Sequence, residues 1–228
     1  MTTTLRETAA IGWNPVTGWS RAARVAAAVC FILSGALWVA AELIGFGLSD
    51  AARLAFVADQ PTLAGIGLTC DMLAVPLLAG AVVAWYLMSR ERSPRLALAG
   101  AIAFVFALTG QAMVNGVDAA QYQVMTSGKI AAAALFGALG ADPAPSIPGI
   151  TFMVMFNLGA LAGIILLMIA VWRSHAVART AAALLIAFQV LSLAPLPFPL
   201  TVIAAAGLIW MAVSVLTARR GPHGDQVV

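Results

Sequence analysis

Six apolar stretches, joined mostly by short polar connections, dominate this 228-residue chain. They run at about Arg24–Leu48, Leu63–Met88, Leu96–Gly116, Ile150–Trp172, Thr180–Ala194 and Leu200–Ala218. A membrane-spanning helix needs about 20 apolar residues, within a range of roughly 17–25. The first four stretches meet that length easily. The fifth is short and runs into Pro195, Pro197 and Pro199, which reads as a span closed by a tight turn into the sixth. Lipid gives backbone groups no hydrogen-bond partner, so each stretch is expected as an α-helix. The expected fold is all-α, a polytopic membrane protein with six transmembrane helices in one bundle over residues 24–218. A cytoplasmic segment, 1–23, carries Trp13 and Trp19, which suit an interface. A cytoplasmic tail, 219–228, follows the bundle.

Composition agrees. The chain is 62% hydrophobic and 9% charged, where a soluble domain carries roughly 25% charged residues. Its net charge of +3 comes from arginines placed between apolar stretches, not from a basic face. Nucleic-acid binding is therefore not expected. Eleven arginines against the single Lys129, with abundant alanine, suggest a bacterial genome rich in G and C.

Basic residues set the expected orientation, because cytoplasmic loops are enriched in Lys and Arg. With the N-terminus inside and six spans, ten arginines fall on the inner side and only Arg53 and Lys129 outside. Five spans would put Arg219 and Arg220 outside. The first apolar run exceeds the about 7–15 residues of a signal peptide, and a polar lead precedes it, so it is expected to stay as an anchor. The expected location is a bacterial plasma membrane, with both termini cytoplasmic.

Two connections are longer. Residues 49–62 read as an interfacial helix capped by Ser49 or Asp50, with Leu54 and Val57 on one face and Pro61 as its stop. Residues 117–149 read as an outer loop holding Ile130–Gly140, apolar but too short to span. Cys30 and Cys70 are expected at depths differing by roughly 10 Å, too far for a disulfide.

Charged groups in the bilayer core are costly, by about 2.5–3.5 kcal/mol on insertion scales. Glu42 in the first span and Asp71 in the second sit there with no basic partner inside a span. Amides join them: Gln111 and Asn115 in the third span, Asn157 in the fourth and Gln189 in the fifth. Counted at about 1.5 Å per residue, all six lie roughly 8–12 Å below the outer surface. Gln111, Asn115 and Asp118 fall at i, i+4 and i+7, one helix face. Ser34, Trp38 and Glu42 line one face of the first span. Pro76 removes the hydrogen bond to the Met72 carbonyl and frees an acceptor near Asp71. These groups are expected to turn inward and line a cavity open to the outer face, where two nearby carboxyls cannot both ionise cheaply. The plainer alternative is an interhelical network that only holds the bundle together, at about 0.6 kcal/mol per contact.

No phosphate-binding glycine loop occurs. His175 and His223 lie on the inner side, away from the acids, so neither a serine triad nor a haem or zinc site is expected. No cofactor and no resident metal is expected, although the carboxylates and amides leave a hard cation open as a ligand. Gly159 and Gly163 form a GxxxG pair that marks close helix packing, within the chain or in a dimer.

The order of Asp71 in the second span, the turn Ser89-Arg-Glu-Arg-Ser-Pro-Arg95, the run Leu96–Gly100, Phe156-Asn-Leu-Gly159, Trp172-Arg-Ser174 and Arg179 resembles a family of bacterial six-helix membrane proteins. That family is known only as a domain of unknown function. The resemblance covers about residues 25–218 and implies a six-helix bundle in a plasma membrane. It implies no activity and no site.

Three functions fit these residues. The leading one is binding or transport of a small hydrophobic or cationic ligand in the acidic cavity. The second is an embedded enzyme, with Glu42 or Asp71 as general acid on a lipid or isoprenoid. The third is a non-catalytic membrane subunit, in a homo- or hetero-oligomer built on Gly159 and Gly163.

Overall fold

The computed structural model describes residues 15–45, 47–48, 50–127, 147–194 and 198–218. Among them are seven α-helices: α1 (Arg21–Gly45), α2 (Asp50–Asp59), α3 (Pro61–Ser89), α4 (Pro94–Thr126), α5 (Ile147–Ser174), α6 (Arg179–Leu191) and α7 (Thr201–Thr217). Four of them, α1, α3, α4 and α5, are long and apolar enough to cross a bilayer. The other apolar pair, α6 and α7, has 13 and 17 residues.

Prolines start two of these helices. Pro61 and Pro94 occupy the first turns of α3 and α4, where a missing N–H removes no helical bond. Pro61 therefore opens α3 as well as bounding α2, which ends at Asp59. Pro76 sits inside α3, which continues on both sides of it.

The helices alternate in direction. α1 packs between α3 and α7, α4 packs most extensively on α5, and α6 lies beside α5 and α7. At one end the Arg24 guanidinium donates to the Ala218 carbonyl at 2.6 Å, joining the start of α1 to the end of α7. The turns after α3 and α5 lie at this same end. Seven of the described arginines gather there: Arg21, Arg24, Arg90, Arg92, Arg95, Arg173 and Arg179. His175, with φ 55°, closes α5 in the left-handed region, and the Arg179 guanidinium lies 3.3 Å from its Nδ1. The opposite end carries Arg53.

Trp85 of α3 anchors the core. It stacks on Phe31 at 5.8 Å, meets Phe104 edge-on at 6.0 Å, and donates its indole N–H to the Met211 sulfur at 3.0 Å. Large apolar side chains such as Leu73, Val83, Phe106, Leu158 and Val213 point outward and are exposed. In water such a belt would drive association, whereas in lipid it is the expected outer face.

Three expectations change. Helix α4 runs to Thr126 rather than ending near Gly116, so residues 117–126 are helix and not loop. Its last turns carry Asp118, Gln121 and Gln123, and a hydropathy profile cannot tell such a polar helix from a loop. The segment before α1 is not only a polar lead, because a 3-10 turn at Pro15–Gly18 buries Val16 completely and packs Trp19 on the core. Ala194 lies beyond α6, which stops at Leu191. Trp13, Ser49, Lys129, Ile130–Gly140, Pro195, Pro197, Arg219, Arg220 and His223 fall outside the described residues, as does the side chain of Leu54.

Cys30 and Cys70 are both free. A Cβ placed on Gly80 would come within 2.5 Å of the Cys30 sulfur, so the Cys30 thiol fills the space beside a glycine where α1 meets α3.

Candidate functional site

Opposite the arginine-rich end, α1, α2, α3, α4 and the start of α7 enclose a partly open cavity of about 500 Å³. Among the described residues, three carboxylates face it, Glu42, Asp71 and Asp118, along with the guanidinium of Arg53. Short polar side chains at the end of α4 and the base of α7, Gln121 and Thr201, complete the polar wall.

Each acid has its own partners. Glu42 accepts the Thr201 backbone N–H at 3.0 Å and also the Thr201 hydroxyl. Thr201 is the first residue of α7, and Leu200 before it gives no side-chain cap. The first N–H groups of a helix have no internal acceptor. A carboxylate from α1 therefore fills the place of a local cap and faces the positive end of the α7 dipole. The sequence shows no cation near Glu42, and the compensation it lacked is this helix terminus.

Asp71 is held differently. Gln111 Nε2 donates to Asp71 Oδ2 and to Asn115 Oδ1, at 2.9 Å in both cases. One amide thus links the face of α4 to α3. Asn115 is only 2% exposed, and its Nδ2 has no hydrogen-bond partner among the described residues. Asp118, three residues beyond Asn115, is exposed at the rim. It feels attraction from Arg53 and repulsion from Asp71. Arg53 reaches this rim from α2, near the end of α1.

A second cavity of about 200 Å³ adjoins the first and shares Trp38, Asp71 and Gln111 with it. Its walls are mainly apolar, including Phe104, Phe156 and Phe188. Asn157 and Gln189 line this chamber and not the acidic one. Asn157 donates to the Met153 carbonyl of its own helix at 2.8 Å, and the buried Gln189 lies 3.5 Å from the Ser192 hydroxyl. The expected single polar layer is thus two chambers meeting at Asp71. Equal depth along separate helices did not specify the direction in which each side chain points. Ser34, grouped with Trp38 and Glu42, is buried and donates to the Phe31 carbonyl of its own helix.

Gly159 and Gly163 face α4 within the same chain. A Cβ on Gly159 would come within 2.7 Å of the Ala103 carbonyl oxygen, and one on Gly163 within 2.6 Å of the Phe104 nitrogen. Gly100 and Gly110 of α4 make matching close approaches to Leu167 and Phe156. Sequence reading found the α5 half of this seam and missed the α4 half, where ten residues separate the two glycines.

Among the described residues, no three His, Cys, Asp or Glu side chains converge on a metal-binding position. No family model matches the chain, and no curated protein or solved structure is detectably similar to it. The resemblance to the six-helix family gains no support from these comparisons.

Proposed function

We propose that this chain is a six-span protein of a bacterial plasma membrane that binds, and in transport would carry, a small hydrophobic cation in the cavity around Asp71. Six spans are supported by the extent of α7. It meets α1 at Arg24 near one end and at Glu42 near the other, so it covers the same depth as a helix long enough to cross. The arginine-rich end is the cytoplasmic one in this reading, because basic residues concentrate on that side. Both termini then face the cytoplasm and the acidic cavity opens outward.

The observation that carries the reading is the position of Asp71, an acid on the shared wall of a polar chamber and an aromatic-lined one. Among the described residues, three carboxylates against one guanidinium favour a cation in the first chamber. Trp38, on the same shared wall, adds an aromatic ring, the type of group that attracts cations. Pockets that pair apolar walls with a few placed polar groups are the usual form of small-ligand sites.

The test is calorimetric titration of tetrabutylammonium into purified protein in nanodiscs. Losing a desolvated charge contact weakens binding by about tenfold or more, so Asp71→Asn should do so while folding normally. Equal affinity in wild type and Asp71→Asn contradicts the proposal. An altered lipid or isoprenoid profile in membranes carrying the protein would instead favour the general-acid reading.

A further inference from the structure

Resting on that reading, we infer that the ligand is a single-chain cationic amphiphile, with its ammonium in the acidic chamber and its alkyl chain in the aromatic one.

The two chambers differ in chemistry as the two ends of such a molecule do. The larger holds Glu42, Asp71 and Asp118. The smaller is walled by Phe104, Phe156 and Phe188 with alanines between them. Trp38, Asp71 and Gln111 line both chambers, and the inferred ligand passes beside these three side chains from one to the other. Asp71 stands at the junction, where the charged nitrogen of an alkylammonium joins its chain. A compact, symmetric cation would fill only the first chamber and leave the apolar one without use.

Size narrows the class. A liquid-packed water takes about 30 Å³, close to the space of one methylene, so the smaller chamber of about 200 Å³ holds roughly seven carbons. One chain fits and two do not. A diacyl lipid is therefore outside the class, and a monoalkyl amine or quaternary ammonium is inside it.

The experiment titrates n-alkyltrimethylammonium ions, from ethyl to dodecyl, into protein in nanodiscs, with empty nanodiscs subtracted. Each methylene buried should tighten binding about fourfold until the chamber is full at roughly seven carbons, and further carbons should add little. Ala160 and Leu108 both line the smaller chamber. Ala160→Phe should bring the break to a shorter chain while leaving ethyltrimethylammonium binding unchanged. Leu108→Phe serves the same purpose if the first variant does not fold. Affinity independent of chain length, or rising without a break in wild type and variant alike, overturns the inference. In either case, binding that still depends on Asp71 leaves the proposed function standing, and binding that does not removes both.

Discussion

Glu42 of α1 accepts both the backbone N–H and the hydroxyl of Thr201, the first residue of α7, across 159 positions of sequence. With Arg24 on the Ala218 carbonyl at the other end, this contact fastens the last helix to the first at two levels. An acid placed so has structural work even in the absence of a ligand, whereas Asp71 accepts an amide hydrogen bond from Gln111 of α4.

The first prediction tests the Glu42–Thr201 contact. Glu42→Leu leaves the α7 terminus without its acceptor and should destabilise the protein by about 1–3 kcal/mol. Thr201→Val removes only the hydroxyl contact and should cost about 0.5–1 kcal/mol, near the typical value for polar contacts between membrane helices. The two changes should be less than additive when combined. Reversible unfolding in mixed micelles measures all three, and full additivity would show that the contact contributes nothing.

The glycine seam between α4 and α5 gives a second. Gly163→Ala puts a methyl carbon 2.6 Å from the Phe104 backbone nitrogen, where neither helix can yield without shifting. Overpacking of that kind costs about 1–3 kcal/mol. Gly116, on α4, has nothing among the described residues within 4 Å of an added Cβ. Gly116→Ala should then be neutral or stabilising by up to about 1 kcal/mol, because alanine is the better helix former. Thermal unfolding in detergent compares them. Equal effects at the two positions would remove the seam.

The core predicts a third outcome. Met211→Leu keeps the volume but takes the acceptor from the buried Trp85 indole N–H, and should cost about 1–2 kcal/mol. Trp85→Ala, which empties the space between Phe31 and Phe104, should cost about 3–5 kcal/mol. Denaturant midpoints order the two variants, and a milder Trp85→Ala would contradict this packing.

Much of this arrangement was legible in the chain. The long apolar runs fixed α1, α3 and α5 to within a few residues, because lipid leaves the backbone no alternative to helix. The spacing of Gln111, Asn115 and Asp118 placed them on one face, and the first two are bonded there. The cost of isolated intramembrane charge singled out Glu42 and Asp71. What stayed hidden was azimuth and distant pairing. Asn157 and Gln189 share a depth with Asp71 but belong to the inner chamber, since height along a helix does not say which way a side chain points. Thr201 carries no local sign that its N–H will meet an acid from another helix. Gln121 looked like a loop residue, because the end of the helix that presents it is polar, and the helix expected over 49–62 did not reveal that Arg53 lines the cavity.

The acidic cavity around Asp71 is proposed to open away from the arginine-rich end and to hold a cation. The most direct test is thiol labelling in intact cells, in protein lacking Cys30 and Cys70. Gln121→Cys, on the cavity wall, should react with a membrane-impermeant maleimide added outside, and Arg92→Cys should not. Tetrabutylammonium should slow the reaction at Gln121→Cys, and Asp71→Asn should abolish that protection. Labelling of Arg92→Cys from outside, or equal protection with and without the Asp71 carboxylate, would contradict the account.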